Sequence, residues 1–355
     1  MSKLFKFFGI FVAVLAGLFV CFLAVAHFTQ LKQESKTPLA VAGTAAKALK
    51  LEEPVTITTM NIGYCALSAD MDFVMDGGKT VRPPSADIVQ RNLAGIIDAL
   101  TAAASDLYLL QEVDVCSARS YRINQVTELQ QALGSLSCFA HNYKALYVPY
   151  PFPQMLGRVE SGLLTICDYP ISESCRMGLH VPFSWPVSLF QLKRCLMVSR
   201  LPIEGSEKEL VIINLHLDAY DDGSGRTEQT KALAALMKQE YEAGNYVIAG
   251  GDFNQTFPLE DPERYALKFD EFFLPAPLNC EFFPNDFLFI FDEEMPSSRL
   301  DNAPYEGPDG ALTQHYVIDG FIASPNVVVS EVHTLDNGFE FSDHNPVRIT
   351  VHLTP

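Results

Sequence analysis

Six short polar motifs in this chain sit at the ends of apolar, strand-like runs, and together they dictate a sheet-based fold. They are TMN with Asn61, LLQE with Glu112, NLHL with Asn214 and His216, GGDFN with Asp252 and Asn254, IDG with Asp319, and FSDHNP with Asp343 and His344. A sheet can bring polar groups from distant positions to one rim, within reach of a shared ligand. Taken singly, an Asp or Asn after a strand is a turn former, and a lone strand-borne His is a structural residue. Turn chemistry does not call for Glu112 after LYLLQ, nor for His216 between two leucines.

Periodicity supplies the rest of the scaffold. Strands are predicted at 55–60, 106–112, 139–148, 162–167, 171–179, 191–201, 209–217, 246–249, 315–322, 327–333 and 347–353. Helices are predicted at 86–103, with Ser85 as N-cap after Pro83-Pro84, at 124–133 and at 227–243. Residues 257–313 read as one long irregular segment rich in Phe and Pro, and such segments are usually functional. No repeat of 20–50 residues occurs, which excludes solenoids and propellers. The pattern predicts one α/β sandwich of two packed sheets with helices outside.

The N-terminus is a separate matter. Lys3 and Lys6 precede an apolar run from Phe7 to Phe28, about 22 residues, enough to cross a hydrocarbon core of roughly 30 Å. The run has no polar face. It reads as an uncleaved signal anchor, with a cleavable signal peptide as the competing reading, since Ala24-Val25-Ala26 offers a small-x-small site. The expected organisation is a cytoplasmic segment 1–6, a transmembrane anchor 7–28, a linker 29–53 and a catalytic domain 54–355. The basic N-terminus predicts a single-pass plasma-membrane protein with its catalytic domain extracytoplasmic. No amphipathic stretch dedicated to bilayer insertion is apparent.

Among 355 residues the formal net charge is −18. That acidity disfavours a long electrostatic grip on nucleic acid but not a metal site, because divalent ions bring their own charge. Seven of the eight cysteines follow the apolar run, with no CxxC or Cys/His zinc spacing, and no disulfide is predicted.

The polar motifs suit phosphoryl chemistry. Glu112 and Asn61 offer hard oxygen ligands for Mg²⁺ or Mn²⁺. His344, beside Asp343, is a base for activating water, and Asp319 is its orienting partner. Asn254 and His216 are hydrogen-bond donors to phosphate oxygens, and Asp252 aligns the water. Arg299 and Asn214 are further candidate substrate contacts. Tyr143 and Lys144 are possible cleft residues, and Arg226 either reaches the rim or pairs with Asp221 or Asp222.

The motifs TMNI, LLQEVD, NLHLDA, VIAGGDFN, YVIDGFI and FSDHNPV, in that order, resemble the endonuclease/exonuclease/phosphatase superfamily, including its pancreatic-type deoxyribonuclease and neutral sphingomyelinase branches. The resemblance runs from about Pro54 to the C-terminus. It implies a four-layer α/β/β/α sandwich and magnesium-dependent phosphoester hydrolysis. It further implies Glu112, Asn61 and Asp343 at the metal, His344 with Asp319 as base and partner, and Asp252, Asn254 and His216 facing water and phosphate. The expected substrate is a phosphoester, whether lipid head group, nucleotide or nucleic acid. A catalytically silent membrane-bound binding module is the reading of a different class.

Overall fold

The computed structural model describes residues 2–221, 223–269 and 271–354. An N-terminal helix, α1 (Ser2–Thr29), precedes two short strands, β1 (Thr37–Pro38) and β2 (Val41–Gly43). Then follow β3 (Val55–Asn61), α2 (Ala86–Ala103), β4 (Leu107–Asp114), α3 (Gln125–Leu133), β5 (Leu136–Val148) and β6 (Gly157–Cys167). The middle of the chain adds β7 (Glu173–Gly178), β8 (Cys195–Pro202), β9 (Glu209–His216), α4 (Ser224–Glu242) and β10 (Tyr246–Asp252). The long irregular segment carries β11 (Gln255–Thr256), β12 (Ala276–Pro277), β13 (Leu288–Ile290) and β14 (Ser298–Arg299). After it come β15 (His315–Tyr316), β16 (Asp319–Ala323), β17 (Val327–Thr334) and β18 (Val347–Leu353).

Two seven-stranded mixed sheets result, one ordered β1-β7-β8-β9-β10-β16-β13 and the other β17-β18-β3-β4-β6-β5-β2. Period-two alternation explains how they stack. Leu107 and Leu109 of β4 meet Leu210 and Ile212 of β9 in the core between the sheets. Their neighbours Tyr108 and Leu110 turn outward onto Val89, Leu93, Ile96 and Leu100 of α2. Val211 and Ile213 likewise turn out onto Leu233, Ala234 and Met237 of α4. The expected four-layer α/β/β/α sandwich is therefore present, with the strand alternation as its cause. Truncating an inter-sheet leucine such as Leu109 to Ala costs about 2–5 kcal/mol.

Two local expectations need correcting. Ser85 is extended at the start of α2 but makes no side-chain cap bond; Asn124 does cap α3, accepting from the Thr127 N–H at 3.2 Å. More consequentially, the segment 29–53 read as a linker is knitted into the domain. Thr37 and Pro38 pair with Arg176 and Cys175, and Val41–Gly43 pair with residues 136–138. Leu49 is buried in the inter-sheet core and bridges Ile203. The Gln33 amide donates to the carbonyls of Leu179 and Arg194 and accepts from Arg176 Nη2. Strands of two or three residues show no period, so composition alone makes this stretch look like a tether.

Helix α1 stands apart from the sandwich, long and apolar enough to cross a membrane. Its C-terminal end touches the domain at one place, where Phe22 stacks on Phe190 at 5.6 Å and meets Tyr147 edge-on at 6.4 Å. All eight cysteines are free thiols.

Candidate active site

Register assembles the polar rim. Strands β9 and β10 run parallel, β10 and β16 antiparallel, and Asp252 lies opposite His216 on one side and Asp319 on the other. Three motifs thus end on one rung. This packing needs Gly251, since a Cβ there would lie 2.0 Å from the Leu215 carbonyl oxygen. On the facing sheet Asn61 pairs with Gln111, next to Glu112.

Glu112 reaches the site through a bulge. The β4–β6 ladder shifts register between Leu110 and Val113, and Glu112 adopts φ 55°, a left-handed conformation unfavourable for a residue with a Cβ. Asn254, at φ 51°, is the second site residue held there. Backbone strain of this kind persists where the surroundings fix it and gathers at functional sites.

The side chains form one connected network. Asn61 Nδ2 donates to Glu112 Oε1 at 3.3 Å and to Asp252 Oδ2 at 3.1 Å. His216 Nε2 lies 3.3 Å from Asp252 Oδ2, and Asn254 Nδ2 donates to the same oxygen at 3.4 Å. His344 Nδ1 is 2.7 Å from Asp319 Oδ2. Its Nε2 is 3.9 Å from Asp252 and 4.0 Å from Asp343. Glu112 therefore communicates with His344 through only Asn61 and Asp252.

Electrostatics follow from this crowding. Asp252 is pushed up to about 7, first by burial and then by the charge of Asp319. Burial raises Asp343 to about 6, with Glu112 adding to it while His344 and Arg299 pull the other way. Burial also lowers His216 well below the ordinary histidine range, helped by Arg194, so this ring is neutral. For His344 burial disfavours the charged ring, yet Asp319, Asp343 and Asp252 outweigh it and raise it well above the ordinary value.

Among the described residues, Asp252, Asp319 and His344 form a buried group whose ligand-capable atoms lie within 4.8 Å of one another. The short His344–Asp319 contact commits the imidazole to its aspartate, however. The better fit for a hard cation is the oxygen set of Glu112 and Asp343, which both line the cleft, the charge of Glu112 adding to the rise of Asp343. Asn61 Oδ1 accepts from the Gly63 N–H at 3.0 Å and keeps a second lone pair, while its amide nitrogen positions the carboxylates.

The network opens into a cleft of 580 Å³. One end is the polar floor just described, joined by Arg119, Arg194 and Ser298. The Arg119 guanidinium pairs with Asp114 at 3.0 Å, lies 3.9 Å from Glu112 and stacks over Tyr64. Arg194 pairs with Asp218 through Nε, and among the described residues its buried Nη1 has no partner. Ser298 Oγ is 3.4 Å from His344 Nε2. Sequence reading missed all three, because no strand-end motif marks them; only the basic type in an acidic chain could have flagged the arginines. The other end of the cleft is apolar, with Tyr143, Val148, Leu156, Phe183, Phe190 and Leu192 among its walls.

Several expected contacts fall elsewhere. Asn214 is not at the site: it lies fully buried between the sheets, donating to Leu164 O and Thr165 and accepting from Gln111. A polar residue on the inner face of a strand must find such partners. Arg299 does line the cleft, but its guanidinium is engaged by Asp301 at 2.7 Å and the Ser68 carbonyl. Tyr143 is a wall residue whose hydroxyl donates to Phe190 O. Lys144 is a half-exposed partner of Glu160. Arg226 pairs with Asp221, and Asp222 lies outside the described residues.

No protein-family model matches the chain, and no curated protein sequence matches it. Solved structures do. An endonuclease/exonuclease/phosphatase from Beutenbergia cavernae superposes with a TM-score of 0.55 at 17% identity, over 85% of this chain and 72% of that one. One from Bacteroides vulgatus gives 0.51 at 16% identity, over 85% and 99%. The chain carries the endonuclease/exonuclease/phosphatase fold.

Proposed function

We propose that this chain is a divalent-metal-dependent phosphoesterase, anchored in the membrane by α1, that hydrolyses a phosphoester by in-line attack of water. The observation that carries the reading is the bond between His344 Nδ1 and Asp319 Oδ2 at 2.7 Å, with Nε2 left facing the cleft. Asp319, Asp343 and Asp252 favour the protonated ring. With that carboxylate charge offset by a cation held beside Asp343, Asp319 would keep the proton on Nδ1 and leave Nε2 to take one from water. Asp252, opposite Asp319 and held by Asn61 and Asn254, aligns the attacking water. His216, neutral and buried, supplies a hydrogen-bond donor to the phosphoryl group. Arg119 and Arg194 add fixed positive charge to that end of the cleft.

Glu112 and Asp343 would hold Mg²⁺ or Mn²⁺, with Asn61 orienting Glu112. Bound there, the cation would supply charge stabilisation to the phosphoryl oxygens. The pair fits this role because burial and the charge of Glu112 raise Asp343 toward neutrality, which an added cation would offset.

The test is hydrolysis of methyl p-nitrophenyl phosphate by the full chain in detergent. Activity should vanish in EDTA and return with Mg²⁺ or Mn²⁺. Glu112→Gln should raise the half-saturating metal concentration by more than about tenfold. Activity unchanged by EDTA would sink the metal assignment, and no hydrolysis with either metal would favour a silent binding module.

A further inference from the structure

Apolar side chains in a globular protein normally turn inward, and contiguous exposed ones mark an interaction surface. At the mouth of this cleft they turn outward. Phe152 is 82% exposed, Trp185 59% and Tyr150 56%, with Leu146, Tyr147 and Val187 also exposed. These residues come from two places, the end of β5 with the β5–β6 connection and the segment before and within the short turn Val187–Phe190. Tyr150 and Val187 line the cleft itself. Phe152 lies two residues from Tyr150, and Trp185 two residues from Val187.

The same lip is where α1 arrives. Leu146, Tyr147 and Phe190 form one side of a narrow groove whose other side is Phe22, Val25 and Ala26 of α1. Phe190 belongs to both the groove and the cleft wall. An unbroken apolar path thus leads from the surface of a helix able to cross a membrane, over the aromatic lip, into a cleft whose far end holds the phosphoryl site. Tryptophan and tyrosine favour the membrane–water interface, where an apolar ring and a polar edge are both satisfied.

We infer that the aromatic lip rests in the bilayer surface beside α1, and that the substrate is an amphiphilic phosphoester drawn from that bilayer, its chain lying along the apolar wall and its phosphate at the polar floor. The source is a membrane lipid rather than a soluble polymer. The chain's net charge of −18 disfavours a strongly anionic surface, so a zwitterionic bilayer is the fitting one. For a diester, the water oxygen bonds to phosphorus and one phosphorus–oxygen ester bond breaks. The proton lost by water passes to His344, and the departing oxygen is protonated from solvent when it leaves as an alcohol. The substrate assignment rests on the phosphoesterase reading; the placement of the lip does not.

One experiment separates the two. Full-length protein is reconstituted in phosphatidylcholine nanodiscs, where Trp185, the single tryptophan of the chain, reports the lip alone. Its emission should be blue-shifted and quenched by lipids brominated on their acyl chains, with little quenching by aqueous iodide. Emission typical of water with full access to iodide overturns the placement. In the same discs, hexadecyl p-nitrophenyl phosphate should be cleaved with a kcat/KM at least a hundredfold above the methyl ester, and Phe152→Ser should lower the hexadecyl rate at least tenfold while leaving the methyl rate unchanged. Equal rates on the two esters overturn the amphiphile assignment while leaving the phosphoesterase standing. Absence of hydrolysis of both, with Trp185 still quenched by lipid, overturns the hydrolase reading and the substrate with it.

Discussion

The two ends of the cleft are built on opposite principles. At the polar floor, carboxylates, imidazoles and the Asn61 amide come from the ends of β3, β4, β9, β10 and β16 and from the turn before β18, held by neighbouring side chains. At the apolar wall the contributors are loop residues and a hairpin end, oriented by packing and left partly uncovered. Rigid strands place reacting atoms to within a fraction of an ångström, which chemistry demands. A slot for a chain of methylenes needs only area, because apolar burial is non-directional. On the phosphoesterase reading, the first end would set rate and the second substrate preference.

That division can be broken by substitution, beginning at the floor. His344→Ala should reduce kcat on methyl p-nitrophenyl phosphate by roughly 10³-fold, in the range for a lost general base. A loss under tenfold in steady-state kinetics would remove His344 from the mechanism. Away from both ends lies Asn214, buried between the sheets. Asn214→Ala should lower unfolding free energy by about 1–3 kcal/mol, the cost of leaving its buried partners unpaired, with half-saturating Mg²⁺ unchanged. Denaturant titration alongside metal titration checks both halves.

At the wall, Leu192→Ser should cost about tenfold in kcat/KM for the hexadecyl ester, the worth of a largely buried leucine side chain, with no change for the methyl ester. Equal losses on both would mean that wall and floor do not divide the work. The smallest effect concerns what holds the hairpin behind the wall. Glu160 is brought down to about 2: burial pushes it up, but Lys144 and Arg158 pull it down by more. A depressed carboxylate stabilises the fold above its ordinary value and loses that contribution as it protonates. The melting temperature should therefore fall as pH drops from about 4.5 to about 2, and Glu160→Gln should flatten that part of the profile in a circular-dichroism melt.

What could be read from sequence follows the same line. The floor was legible because strand-end polar residues break an apolar run, as Glu112 does after LYLLQ, and because register then carries Asp252 opposite Asp319 without further information. Asn214 misled because it shares a motif with His216, two residues on: alternation should place both on one face, yet only the strand's last residue clears the sheets. The bulge that aims Glu112 depends on pairing with β6, which no local pattern discloses. The lip stayed hidden because Tyr150, Phe152 and Trp185 sit among prolines without period, and exposure is a property of the folded surface alone. Arg119 and Arg194 are likewise visible only once their loops are placed.

The seam joining 29–53 to both sheets has a consequence for where such an enzyme could act. With Gln33 pinned four residues beyond the end of α1, there is no slack to let the domain lift away or swing toward an opposing surface. If α1 anchors the chain as proposed, turnover would be confined to the membrane in which each molecule is itself planted. Vesicles bearing the protein, mixed with enzyme-free vesicles, would consume their own contents and spare their neighbours'.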